Sequence, residues 1–296
     1  MSRQIRIGTM VRGQALPEIC SYIDNLGKYG FESIEITFGG DATWVKDFPE
    51  YAKQVRACAE KNGMIVSALG VYGNPLIPEG ENTRKSLELV IDNAPLFGAE
   101  VIGAFTGRIP NEEMPASLPE FTEVFSALAA RSADKGVKIA FENCPMGGSW
   151  KYGTWNIAVN PVMWEKMFDA LPAANVGLEW EPAHQMCQLI DPIPQLRKWA
   201  PKVFHLHGKD ATVMRDVVAE YGIHSDRSFA WHRTPGFGDC NWHDIISILR
   251  LNNYEGTIDI EGWHDPVYRG GLEITGQVHG LHYLKFCRGE DFIPGF

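Results

Sequence analysis

A chain of 296 residues, 45% hydrophobic and 22% charged, has ordinary globular composition and enough length for a large α/β domain. Its formal net charge of −10 opposes a nucleic-acid partner, since Lys and Arg neutralising phosphate supply most of such affinity. No run of about 18 apolar residues predicts a membrane span, and the N-terminal "MSRQIRIGTM" lacks the apolar centre of a secretory signal. Cys20, Cys58, Cys144, Cys187, Cys240 and Cys287 are scattered, with no CxxC pair. They read as reduced thiols rather than a disulfide frame, and the expected location is cytoplasmic.

In chain order the predicted elements alternate. The strand "IRIGTM" (5–10) leads into "LPEICSYIDNLGKYG", whose apolar spacing is helical and whose end at Gly30 reads as a C-cap. "SIEITF" (33–38) is followed by "FPEYAKQVRACAEKNG", with Pro49 in its first turn and a closing Gly. Then come "MIVSALGV" (64–71) with "ENTRKSLELVIDNAPLFG", "EVIGAF" (100–105) with "LPEFTEVFSALAARSADKG", and "VKIAFEN" (137–143) with "NPVMWEKMFDAL". "NVGLEW" (175–180) precedes "DPIPQLRKWA", "VFHLH" (203–207) precedes "NWHDIISILRLNNYEG", and "TIDIE" (257–261) precedes the terminal "TGQVHGLHYLKFC". Eight strands each followed by a helix predict the α/β class and a (β/α)8 TIM barrel. No linker or composition break appears, so residues 1–296 read as a single barrel domain. Its one long irregular segment, 208–240 after strand seven, is of a length that is usually functional or mobile.

In such a barrel the active site lies at the C-terminal strand ends. Strand five ends in Glu142. Strand six runs into "EWEPAH", with Glu179, Glu181 and His184. Strand seven ends in His205 and His207, which share one face because strand residues two apart point the same way. Strand eight ends in Glu261, with Trp263 and His264 just beyond. Singly, each residue has an ordinary structural explanation: a capping carboxylate, a packed histidine. Together, three carboxylates and an imidazole at one mouth repel one another and desolvate expensively unless a divalent cation neutralises them. Glu179 has the parity of Glu181 but lies deeper, so Glu181 is read as the ligand and Glu179 as its support. The oxygen-rich set suits Mn²⁺ first, with Mg²⁺ or Co²⁺ as alternatives and Zn²⁺ after them. Cys144 reads only as a neighbour of Glu142.

The segments "AFENC", "GLEWEPAHQ", "VFHLHGKDA", "RTPGFGDCNWHDIISIL" and "IDIEGWHDP" resemble the xylose isomerase-like superfamily over nearly the whole chain. They are most similar to its sugar phosphate isomerase/epimerase branch, which includes D-tagatose 3-epimerase, inosose dehydratase and C-glycoside deglycosidase relatives. The resemblance implies one metal held by Glu142, Glu181, His207 and Glu261. It implies that Glu142 and Glu261 also act as acid and base, that His184 touches substrate, and that His205 supports the ligand from one layer below. The family's usual Asp-Pro-x-His reads here as "EPAH", so Glu181 is one methylene longer than expected.

The implied chemistry is removal of the proton α to a sugar carbonyl, giving epimerisation, aldose–ketose isomerisation or, with a β leaving group, elimination. The leading expectation is a metal-dependent isomerase or epimerase. The alternative is a lyase on 3-oxo-glycosides, which could require a small partner subunit. An endonuclease IV-like nuclease is remote, because it needs more histidines and a basic face. A non-enzymatic sugar sensor is disfavoured by the two acid–base glutamates. Arg233 or His232 of "WHRTPGFGD" either reaches over the site or stands where Pro235 and Gly236 merely turn the chain. Lys209 and Asp210 either contact sugar hydroxyls or pair with each other. Trp263, His264, Tyr72 and Asn74 are candidate pocket-lining residues. No Gly-rich phosphate cradle stands out, so the expected substrate is an unphosphorylated sugar, polyol or glycoside. The resemblance also implies a homo-oligomer.

Overall fold

A computed structural model describes residues 4–291 and 293. Ten strands are β1 (Arg6–Arg12), β2 (Ser33–Thr37), β3 (Ile65–Val71), β4 (Val101–Ala104), β5 (Lys138–Glu142), β6 (Val176–Trp180), β7 (Val203–Gly208), β8 (Asp210–Val213), β9 (Ala230–Arg233) and β10 (Thr257–Ile260). The helices are α1 (Leu16–Gly27), α2 (Phe48–Lys61), α3 (Glu81–Phe97), α4 (Leu118–Asp134), α5 (Pro161–Ala170), α6 (Pro182–Met186), α7 (Pro192–Trp199), α8 (Arg215–Tyr221), α9 (Trp242–Leu251) and α10 (Glu273–Arg288). Eight strands form a closed sheet in the order β1-β10-β7-β6-β5-β4-β3-β2. Every strand pairing described in it is parallel. All eight predicted strands are present, with ends shifted by one or two residues.

The strands form where they do because parallel strands covered on both faces tolerate continuous apolar runs. β5 and β6 are buried along almost their full length. Helix starts follow local chemistry. Asp47, Asn160, Asp191 and Asn241 each accept a hydrogen bond from a backbone N–H of the first turn, at 3.1, 3.2, 3.0 and 3.1 Å. α1 stops at Gly27, short of Gly30, whereas α3 ends at Gly98 in the left-handed conformation that only glycine adopts freely.

The chain divides into two compact units. The larger runs from Met10 to Trp180 and adds Lys202–His205. Its helices carry apolar stripes into interlocking aromatic clusters. Phe125 meets Phe141 edge-on at 4.8 Å, and Phe48 meets Phe97 at 5.8 Å. Here α1 lies against α2, with Cys20 and Cys58 facing each other at a Cα separation of 5.7 Å and joined as a disulfide. This corrects the expectation of six reduced thiols. Their separation of 38 residues carries no sequence signature; helix packing brings them together. Cys144, Cys187, Cys240 and Cys287 form no disulfide among the described residues.

The second unit takes the chain up to Thr9, Glu181–Pro201 and Leu206 onward. In it β10 pairs with β1 and β7, and α9 packs on α7 and α10. The segment expected to be irregular, 208–240, is ordered here. β8 and β9 pair antiparallel, Asp210 opposite Arg233 and Val213 opposite Ala230, with α8 between them. Two four-residue strands separated by a helix lack the short turn signature that marks a hairpin in sequence. No helix among the described residues is long and apolar enough to cross a membrane.

Candidate metal centre

Within the second unit, three predicted ligands come together. Glu181 follows β6 directly, at the start of α6, and its extended backbone begins a turn that brings His184 back: His184 Nε2 lies 2.9 Å from Glu181 Oε1. His207, near the end of β7, places Nδ1 3.6 Å from Glu181 Oε2 and 3.8 Å from Glu261 Oε2. Glu261 follows β10 directly, and its other oxygen, Oε1, is 2.8 Å from His264 Nε2. Glu181 and His207 are wholly buried and Glu261 is 7% exposed.

The donor set fits one ion. Two ligands bound at about 2.0–2.2 Å to one metal stand at most about 4.4 Å apart, and the Glu181–His207 and Glu261–His207 separations of 3.6 and 3.8 Å fall inside that limit. Two carboxylates with one imidazole suit a hard or borderline divalent cation better than a thiophilic one.

The electrostatics are those of anions held by cations. Burial alone would raise the Glu181 pKa. The charges of His184 and Lys209, with hydrogen bonds from His184 and His207, hold it well below the usual carboxylate range. Glu261 behaves alike: burial opposes ionisation, but the Lys209 ammonium and the His264 hydrogen bond more than offset it, and the carboxyl sits well below its ordinary value. Lys209 is 2% exposed, and its Nζ is 2.8 Å from Glu261 Oε2 and 3.6 Å from Glu181 Oε2. It pairs with these carboxylates, not with Asp210.

Three histidines line up beside the carboxylates. The His232 ring, on β9, meets His184 edge-on at 4.8 Å and lies 6.0 Å from His264. Burial, then the Lys209 and His184 charges, push its pKa down to about 3, so it is neutral at physiological pH. Of the two residues weighed in "WHRTPGFGD", His232 therefore joins this cluster, while Arg233 Nε bonds Asp265 Oδ2 at 3.2 Å. Trp263 is half-buried, its ring 6.0 Å from that of His264.

Asp210 has a different duty from those expected of it. It accepts the backbone N–H groups of Ala211 (2.8 Å), Cys240 (2.9 Å) and Gly236 (3.4 Å) and the Trp242 indole N–H (3.3 Å). The absent side chain of Gly238 leaves room for this carboxylate, since a Cβ there would collide with it. Asp210 thus fastens the turn after β9 to the root of β8.

The larger unit holds the remaining predicted residues. Glu142 ends β5, buried at 5% exposure and in register with Glu179; Asn156 donates to the Glu142 and Cys144 carbonyls at 2.8 and 2.9 Å and fixes the strand exit. Asn74 anchors loops: its amide donates to the carbonyls of Arg108 (2.6 Å) and Thr154 (2.7 Å), and its oxygen accepts from the Leu76 and Arg108 N–H groups. The Tyr72 hydroxyl lies 2.6 Å from both Glu35 Oε1 and Glu179 Oε2, and His205 Nδ1 lies 2.8 Å from Glu179 Oε1. Burial and then the charge of Glu179 drive the Tyr72 phenol far above its ordinary value. Glu179 is the member of this network that meets both Tyr72 and His205. Glu35 was missed. Its signal was present: a glutamate between isoleucines in a strand apolar on both sides, "SIEIT", where the β2–β3 register shifts.

The chain belongs to the xylose isomerase-like TIM barrel family, which matches residues 23–285. It is 24% identical to the uncharacterized protein YfiH of Bacillus subtilis (strain 168) over 275 residues, covering 79% of this chain and 85% of that one. It is 26% identical to an inosose dehydratase of Clostridium botulinum over 164 residues, which span 53% of this chain and 50% of the dehydratase. Among solved structures, the apo form of a 3-keto-D-glucoside 4-epimerase from E. coli superposes with a TM-score of 0.70 at 16% identity, covering 96% of this chain and all (100%) of that one.

Proposed function

We propose that the protein is a divalent-metal-dependent enzyme that removes the proton α to the carbonyl of a sugar or polyol derivative, with an isomerase or epimerase outcome. The observation that carries this reading is the buried triad of Glu181, His207 and Glu261, whose facing atoms lie within the span of one ion. Glu142 is assigned as fourth ligand from its position at the C-terminal end of β5. Mn²⁺ is the first candidate and Mg²⁺ or Co²⁺ the next. When bound, the ion supplies Lewis-acid polarisation of the carbonyl oxygen.

The chain's own residues supply the proton chemistry. Glu142 and Glu261 are the acid–base pair, one taking the proton from the α carbon and the other returning it. The His264 hydrogen bond to Glu261 Oε1 orients that carboxylate and favours its basic, ionised form. His184 and the neutral His232 present imidazoles suited to sugar hydroxyls, with Trp263 as an apolar wall. Lys209 and Arg233 complete the polar surround. Tyr72, Asn74 and His205 act on substrate only through the loops and carboxylates they hold.

A second reading, elimination on a keto sugar or polyol, is favoured by the similarity to an inosose dehydratase. It shares the first step and differs only in what leaves. One experiment separates the readings. The Mg²⁺-loaded protein, with an EDTA-treated control, is incubated in D₂O with ketoses, aldoses, inososes and 3-oxo-glycosides and followed by NMR. Metal-dependent deuterium beside a carbonyl is expected, and the product distinguishes epimer, isomer and alkene. Exchange that persists unchanged in EDTA would sink the metal assignment.

A further inference from the structure

We propose that Lys209 is an internal counter-cation that occupies the ion's place between Glu181 and Glu261 and must withdraw from Glu261 when a divalent ion binds. The inference rests on the metal reading above, and its motive is geometric. Lys209 Nζ faces Glu261 Oε2 at 2.8 Å and Glu181 Oε2 at 3.6 Å. His207 Nδ1 faces the same two oxygens, at 3.8 and 3.6 Å. The two atoms best placed to bind an ion together with His207 are therefore the two already facing an ammonium.

The side chain is buried, at 2% exposure, so its charge is not dispersed in solvent. Two buried carboxylates without a cation would repel strongly at low effective dielectric. A lysine built into the strand end keeps them folded in the metal-free protein. The same charge then opposes an incoming dication, which must displace it. An ammonium on a flexible four-carbon stem can swing away, unlike the shorter, ring-bound nitrogen of His207. Once displaced, it stands beside the ion as a donor for an oxygen of the bound sugar. Lys209 is thus a positioning residue for the metal and a specificity residue for the substrate.

The test uses the full-length protein, chelator-stripped, with Mn²⁺ titrated calorimetrically into the wild type, K209M, K209Q and K209R. Neutral variants are expected to bind Mn²⁺ at least tenfold more tightly and to melt several degrees lower without metal, with most of that loss restored by Mn²⁺. K209R, which keeps the charge, should bind no more tightly than wild type. Neutral variants that bind equally or more weakly would overturn the inference while leaving the metal reading intact. A wild type that binds no divalent ion would overturn both. Should the neutral variants not fold, the wild type suffices: the slowly exchanging ¹⁵N signal of a buried lysine ammonium should shift or broaden on saturation with Mg²⁺, and an unchanged signal would refute the displacement.

Discussion

Two buried polar networks draw on residues two apart along the chain, Glu179 and His205 for one and Glu181 and His207 for the other, and they are built to opposite ends. Glu179 and His205, with Glu35 and Tyr72, form a network whose hydrogen bonds are short and mutual, between 2.6 and 2.8 Å. Glu181 and His207, with Glu261, face each other at 3.6 to 3.8 Å, and the two carboxylates also meet Lys209, His184 and His264. The first arrangement ties its members to one another by short hydrogen bonds. The second sets two carboxylate oxygens against one imidazole nitrogen at separations that a single ion could span. Strand periodicity makes such pairs possible, since residues two apart share a face at different depths. What differs is the partners: a phenol and a second carboxylate for one, an ammonium and imidazoles for the other.

Breaking the second network should abolish activity without unfolding the chain. E261Q keeps the shape of the side chain and removes its basicity. It should lower the rate of metal-dependent α-proton exchange by about 10²–10⁴-fold, read by deuterium incorporation, while circular dichroism stays native. An exchange rate within a few-fold of wild type would remove Glu261 from the acid–base role.

Breaking the first network should do the reverse. E179A strips His205 of its acceptor at 2.8 Å while Tyr72 keeps Glu35, and leaving one buried donor unsatisfied costs about 1–3 kcal/mol. Urea denaturation should show the loss as a lower midpoint with an unaltered slope. Equal stability would mean that the network is not structural. D210N probes a third buried carboxylate, one that accepts only N–H donors. Its amide nitrogen would confront a donor, and about 1–3 kcal/mol of stability should be lost in the same assay.

The smallest effect sharpens the contrast through pH. Burial depresses His232 to about 3 from an ordinary value of 6.5, so the folded state binds fewer protons than the unfolded chain between those values. Its contribution is fully present above pH 6.5 and is lost as pH falls toward 3. H232F should therefore flatten the acid limb of a stability-versus-pH curve, and an identical limb would show that His232 is not held neutral.

Much of this was legible before any coordinates. All eight strands could be read from β-branched apolar runs, because a parallel strand covered on both faces must be apolar whatever its neighbours. The ligand candidates followed from their position at strand ends, since barrel chemistry gathers there. Other features were invisible for equally physical reasons. Glu35 could be seen as an oddity but not paired, because its partners Tyr72 and Glu179 come from distant strands. Asn74 and Tyr72 read as pocket residues, and the partners of their hydrogen bonds, loops and carboxylates tens of residues away, could not be read beside them. The β8–β9 pair has no turn motif, and it is Asp210 that fastens the chain beside it.

The sequence by itself determined the class of fold, the order of its elements and the residues whose chemistry suits a metal, because periodicity and residue type are local properties. Only the tertiary structure decided which oxygen faces which nitrogen. It set Lys209 rather than an empty space between Glu181 and Glu261, bridged Cys20 to Cys58, and gave His232 rather than Arg233 to the histidine cluster. Those choices depend on distances between residues far apart in the chain, and such distances are fixed by packing alone.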